Sequence, residues 1–191
     1  AVLYTHDHAD QTHGIDDFRA YAILQRRRMH CFMDTYTKEA LTRRFHYIFS
    51  GEQGYPPIAE ALDIPPHGEA WSVSGPGGEI PVVTFAQEHG PIESVGYRFG
   101  GVAYSSDVSG LDDKALAALQ NLDLWIVDAL RWTPHPTHAS VDTALGWIRE
   151  LKPKRAVLTN LHVDLDYEAL KAALPEGVEP AFDGWNAEFA L

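Results

Sequence analysis

Three histidines and two aspartates fall within eight residues, His6 to His13, near the start of the 191-residue chain, in the run Tyr4-Thr5-His6-Asp7-His8-Ala9-Asp10-Gln11-Thr12-His13-Gly14. Imidazole nitrogen and carboxylate oxygen together suit zinc, manganese or iron. Alternate residues of an extended loop point the same way, so His6, His8 and Asp10 are expected to converge on one side. A lone His-x-His pair is weak evidence of a metal. His-x-His-x-Asp at the end of a buried strand, followed by a further His-Gly, is much stronger.

Three later positions repeat the theme. His89 lies in "FAQEHG", Asp107 in "AYSSDVS" and His162 in "LTNLHVDLDY", each where an apolar run gives way to a polar loop. A His or Asp at several separate strand ends is what a metal centre assembled from loops requires. The elements that must position them follow from the pattern of the chain. Residues 1–5 read as a buried strand entering the histidine loop. Residues 16–28 read as a helix with aspartates at its start and arginines at its end. A second helix is expected over 37–48, with Thr37 as its cap. "WSVSGPGGEIPVVTFAQEHG" reads as a hairpin around Gly-Pro-Gly-Gly, followed by two short strands, "SVGYRFGG" and "VAYSSDVS". Further helices are expected at 111–121, 141–151 and 166–174. Strands are expected in "LDLWIVDAL", ending at Asp128, in "RAVLTNLHVD" and in "GWNAEFAL". This alternation argues for a layered α/β fold with its site at the sheet edge.

Composition narrows the function classes. A chain of 191 residues is expected to form one domain over 1–191. No run of about 18 apolar residues exists, which excludes a transmembrane helix and a membrane role. No signal peptide is visible, and a single cysteine, Cys31, leaves no intrachain disulfide framework, so a reducing cytoplasm is expected. Cys31 reads as a small buried hydrophobe. A net charge of −12 argues against a nucleic-acid partner bound through a broad basic face. A small phosphate-containing substrate remains compatible, because a metal ion supplies positive charge locally. Arg26-Arg27-Arg28 and Arg43-Arg44 read as solvated helix faces.

With these residues in view, "LYTHDHADQTHGIDD" resembles the His-x-His-x-Asp-His signature of the metallo-β-lactamase superfamily. His89, Asp107 in "VAYSSDV" and the "LTNLH" loop follow in the family's order. The phrases "THGIDD" and "GYRFG" are similar to those of its PhnP-type and PqqB-like branch. The resemblance implies an αββα sandwich and one or two divalent ions, zinc or manganese. It also implies about 50–80 residues ahead of the signature. The chain has no initiator Met, so the first strands of the fold are expected to be missing, and the sheet left exposed would favour a homodimer. By the same resemblance, His6, His8 and His89 would hold one metal, Asp10 a second, and Asp107 would bridge them. Two departures stand out. Gln11 replaces the fourth signature histidine, and Thr159-Asn160 replaces a Thr-His pair, leaving His162 or His13 as substitutes. His138, in "PHPTHAS", resembles a histidine placed near the leaving group as general acid, with His135 as competitor and Asp128 as a partner orienting a histidine. Asp10 or Asp107 would orient the attacking hydroxide. The expected activity is a phosphodiesterase acting on a small cyclic or nucleotide-like diester. The alternative is a nucleotide- or metabolite-binding accessory protein of the same fold that has lost hydrolysis.

Overall fold

The computed structural model describes residues 1–189 of the chain. Two compact units divide at Pro65-Pro66, the first spanning Ala1–Pro65 and the second beginning at Pro66. Each unit carries its own buried apolar core.

In the first unit, β1 (Val2–Leu3), β2 (Met29–Met33) and β3 (Ala59–Asp63) form a parallel sheet in the order β1-β2-β3. Parallel neighbours need long crossovers. These are α1 (Ala9–Thr12), a 3-10 helix (His13–Asp17), α2 (Phe18–Gln25), α3 (Thr35–Arg44) and α4 (His46–Ser50). Tyr4, Ile15, Cys31, Met33, Leu41 and Ile48 fill the core. Burial pushes the Cys31 thiol up to about 12, which makes it an inert packing group.

The helix expected over 16–28 ends earlier, because Arg26 takes a left-handed backbone (φ 52°) that closes α2 after Gln25. The three arginines therefore lie beyond the helix. The next helix begins at Thr35, because Asp34 and not Thr37 caps it: the Asp34 carboxylate accepts the Thr37 N–H at 2.7 Å. Strand β3 escapes a reading by propensity, since "AEALD" is built of helix formers, and pairing along β2 overrides that preference.

The second unit holds a seven-stranded sheet. Its members in chain order are β4 (Ala70–Gly75), β5 (Gly78–His89), β6 (Ile92–Phe99), β7 (Val102–Ser105), β8 (Leu124–Asp128), β9 (Arg155–Thr159) and β10 (Val178–Pro180). Strands β4 to β7 run antiparallel, with Pro76-Gly77 closing the first hairpin where Gly75 pairs with Gly78. Strands β7 to β10 run parallel. Their crossovers carry α5 (Asp113–Ala118), α6 (Val141–Leu151) and α7 (Tyr167–Ala173). In α6, Val141, Ala144, Ile148 and Leu151 are buried on one helical stripe, and Ser140 caps it by accepting the Thr143 N–H at 3.1 Å. Trp125 is fully buried on β8, its indole N–H donating to Ser105 Oγ at 2.9 Å.

The strand expected in "GWNAEFAL" does not form over 184–189, and residues 190–191 lie outside the described residues. The neighbouring edge of β9 is already taken by β10, and the chain then turns, with Trp185 N–H bonded to Phe182 C=O. Strands β5, β7, β8 and β9 all point the same way, so their carboxyl ends share one edge, where His89, Asp107, Asp128 and Asn160 emerge.

Candidate metal centre

The first unit carries a short loop after β1 that holds His6 and His8. His6 is buried, and its Nδ1 is 3.0 Å from Thr5 Oγ1. The His6 and His8 rings meet edge to face with centroids 4.5 Å apart. Asp7, between them, points the other way, as alternation requires. Its buried carboxylate and its backbone carbonyl are both gripped by the Arg44 guanidinium at the end of α3. One side chain thus fixes the backbone from which both histidines project. A residue read from sequence as part of a solvated face is the clamp of the loop. Nothing local marks it, because Arg44 lies 37 residues from Asp7.

The alternation stops at His8, where α1 begins. Asp10 is therefore carried onto an exposed helical turn, where it accepts a 3.3 Å hydrogen bond from Gln11 Nε2. The expectation of Asp10 beside His6 and His8 rested on an extended loop, and Asp10 stands instead in the first turn of a helix. His13 opens the 3-10 helix, exposed, and rests on the Phe45 ring.

The second unit assembles a denser group. His89, at the end of β5, is 1% exposed and sends its Nδ1–H to the Thr137 carbonyl at 2.6 Å. That bond places the ring's lone pair on Nε2, the tautomer that a metal-ligating histidine needs. His89 Nε2 lies 3.6 Å from Asp107 Oδ2, and His138 Nε2 lies 3.9 Å from the same oxygen. The other carboxylate oxygen of Asp107 accepts from Ser106 Oγ at 2.5 Å and from Asn160 Nδ2 at 2.8 Å. Asp107 and Asn160 both hold left-handed backbones, with φ of 52° and 58°. Strained non-glycine conformations of this kind concentrate at functional sites. The His89 imidazole, its ring held by a carbonyl, and the Asp107 carboxylate are donors that suit a divalent transition metal.

Behind these groups lies a buried scaffold that the sequence reading missed. Gln87 Nε2 donates to Ser94 Oγ and to the Ser106 carbonyl, both at 3.1 Å, and Ser94 Oγ donates to the Asp107 carbonyl at 2.9 Å. The backbone on either side of the Asp107 side chain is held by this chain of bonds. Gly90, at φ +62°, is required beside His89, since a Cβ there would sit 2.4 Å from Thr137 Cγ2. The glycine lets the Thr137 carbonyl reach the imidazole.

Asp128 is fully buried at the end of β8 and accepts His138 Nδ1–H at 2.7 Å and the Val108 N–H at 3.0 Å. Burial pushes its carboxyl above the usual carboxylate range, while the hydrogen bond from His138 pulls the other way. The loop bearing His138 is pinned by Leu130 N–H to Ala139 C=O and by Ala139 N–H to Val108 C=O. His135 packs 5.3 Å from His138, centroid to centroid, and burial together with the neighbouring His138 charge lowers its pKa. His162 goes elsewhere. Exposed in the loop after β9, it pairs with Asp164 at 3.2 Å, and the position pointing back to Asp107 belongs to Asn160.

Comparison with known proteins agrees with this architecture. The family described as "Beta-lactamase superfamily domain" matches residues 1–160. A solved structure described as a new diphosphatase from the PhnP family is 34% identical, with a TM-score of 0.85 over 99% of this chain and 71% of that one. Zinc-bound PqqB from Methylobacterium extorquens shares the fold at 15% identity and a TM-score of 0.74, over 98% of this chain and 72% of that one. A protein of Porphyromonas gingivalis named octanoyltransferase is 27% identical over 98% of this chain, which spans only 37% of that protein's length. The residues and the fold agree that this chain belongs to the beta-lactamase superfamily, in the PhnP-like branch of its metallo-β-lactamase-fold members.

Proposed function

We propose that the chain is a metal-dependent hydrolase of small, nucleotide-like phosphodiesters. In this reading His89 and Asp107 at the strand ends of the second unit take part in holding a divalent ion, zinc or manganese, and the family resemblance gives His6 and His8 a ligand role. The observation that carries the reading is the buried cluster of His89, Asp107, His138 and Asp128, with one carboxylate oxygen flanked by two imidazoles and a second carboxylate behind. Similarity to a diphosphatase of the PhnP family supports a phosphate substrate.

A divalent ion in such a site supplies Lewis-acid charge and a water acidic enough to attack at neutral pH. The chain's own groups do the rest. Asp107 Oδ2, 3.6 Å from His89 Nε2, would accept a hydrogen bond from the attacking oxygen. Asp128 holds His138 Nδ1–H and stabilises the protonated ring, so that Nε2–H can be given to the departing oxygen. The His138 side chain is 17% exposed, open enough to meet a substrate.

One observation favours a second reading, a binding module that has lost hydrolysis. At both positions where the family resemblance expects a histidine, an amide stands against a carboxylate: Gln11 on Asp10 and Asn160 on Asp107. The similarity to part of a longer protein named octanoyltransferase suits an accessory role of this kind.

Metal analysis coupled to a diester screen separates the two. About one tightly held ion and turnover of a diester are expected for the hydrolase, and His8→Ala and His89→Ala should each empty the site. Full occupancy in either variant would remove that residue from the ligand set. A loaded protein that binds nucleotides without turnover would establish the binding module.

A further inference from the structure

The first unit carries a second concavity that the metal chemistry does not use. It is an open cleft of about 450 Å³ lined by Arg19, Tyr47, Glu52, Gln53, Tyr55 and Pro56. Its size falls within the range of small-molecule sites. Three of the six lining side chains present flat π surfaces, two phenols and a guanidinium. Glu52 and Gln53 add a carboxylate and an amide suited to hydrogen bonding at a polar edge.

The cleft is built, and does not arise from a loose loop. Glu52 N–H bonds to Tyr55 C=O at 3.2 Å and Tyr55 N–H bonds back to Glu52 C=O at 2.9 Å. Gln53 and Gly54 between them both have positive φ, 50° and 88°. This is the geometry of a two-residue type I′ turn, which favours Asn-Gly and is costly for glutamine at its first position. The strain is retained at a site where it keeps Tyr55 projecting, 71% exposed. Beside the cleft, Asp16 accepts from Arg19 Nη2 at 2.8 Å, and burial together with the Asp16 charge raises the Tyr47 phenol's pKa. The guanidinium is thereby steered while it keeps further donors. Asp16 lies in the 3-10 helix that follows the His6–His8 loop, so cleft and loop are joined by one short stretch of chain anchored by buried Ile15.

We propose that this cleft binds a nucleobase, stacked on Tyr55 and Tyr47, with Glu52 accepting from the N–H groups of a guanine edge. A carboxylate at that place disfavours a phosphate and favours a base that presents donors. This deepens the phosphodiesterase reading by naming the part of the substrate that the first unit recognises, and it rests on that reading for the word substrate.

The test uses the full chain and two readouts. Calorimetric titration with guanosine monophosphate should show binding that Tyr55→Ala weakens about tenfold, the scale of a lost base–aromatic stack, and that Tyr55→Phe restores. For a guanosine-bearing diester, Tyr55→Ala should raise KM about tenfold with little change in kcat, while turnover of bis(p-nitrophenyl) phosphate, which has no base, stays within about twofold. Equal losses on both diesters, or guanosine monophosphate binding untouched by Tyr55→Ala, would overturn the assignment. If no diester is turned over at all, the hydrolase reading falls and the titration alone decides the cleft. Binding that depends on Tyr55 upholds it, and no binding of guanosine or adenosine monophosphate overturns it.

Discussion

The two groups of candidate ligands are built on different plans. In the first unit His6 and His8 sit two residues apart on one loop, which the Arg44–Asp7 ion pair and the Thr12 hydroxyl, donating to the His8 carbonyl, help to hold. In the second unit His89, Asp107, Asp128 and Asn160 come from the ends of four strands, and His138 from a pinned loop. Buried hydrogen bonds through Gln87, Ser94 and Asp128 lock them together. A local motif needs few long-range clamps, because the covalent chain already sets the spacing of its ligands. A centre drawn from distant strands needs a network, because nothing but the fold sets its spacing. The second plan places more of its cost in buried polar groups, which are expensive to leave unpaired.

The largest effect is therefore expected in the second unit. Asp128→Ala leaves His138 Nδ1–H and the Val108 N–H without their acceptor in a fully buried site. The expected loss is about 2–4 kcal/mol of stability, read by urea denaturation. Metal affinity or turnover should fall about 10–100-fold, as for other partners that orient a functional histidine. Asp128→Asn, which keeps an acceptor oxygen, should recover most of the stability but less of the turnover, because it no longer stabilises a charged imidazole. Loss of stability with unchanged turnover would show that Asp128 serves the fold and not His138.

The first unit should break less severely. Arg44→Ala leaves the Asp7 carboxylate buried without its cation, but Arg44 is itself 40% exposed, so water can enter where the guanidinium stood. About 2 kcal/mol is expected, below the full penalty for a dry ion pair. Arg44→Lys should recover little, since an ammonium cannot grip the carboxylate and the carbonyl together as the fork does. Metal affinity should drop even where the fold survives, because the loop between His6 and His8 loses its anchor. A drop as large as that of Asp128→Ala would erase the contrast between the two plans.

The same contrast explains what could be read in the sequence. The His6–His8 pair was legible because its chemistry is written in adjacent residues, and the order of His89 and Asp107 was legible because each ends an apolar run. The α/β class and the strand end at Asp128 followed from long apolar segments. Arg44, Gln87 and Ser94 were not legible: each is an ordinary polar residue whose role exists only through partners at the far end of a crossover or on the next strand. Asn160 was noticed as a departure from a family pattern, yet its bond to Asp107, 53 residues away, is a product of parallel pairing between β8 and β9 beside β7. Asp10 and His162 have the right chemistry beside a motif, and each stands exposed with a partner one or two residues away.

Those two residues give the smallest expected effects and the sharpest control. Asp10 bonds to its neighbour Gln11 on an exposed turn, and His162 pairs with Asp164 in an exposed loop. Asp10→Ala and His162→Ala should leave the thermal midpoint and the bound-metal count unchanged, as surface substitutions away from buried networks do. The pair is informative because a site read from sequence alone would put both among the ligands. If His162→Ala removed metal while Asn160→Ala did not, the loop after β9 would have to rearrange in the loaded protein. The advantage of the second unit would then lie in a mobile ligand, not in a rigid network. If neither residue matters and Asn160→Ala weakens metal binding, the network around Asp107 is what the strand ends were assembled to hold.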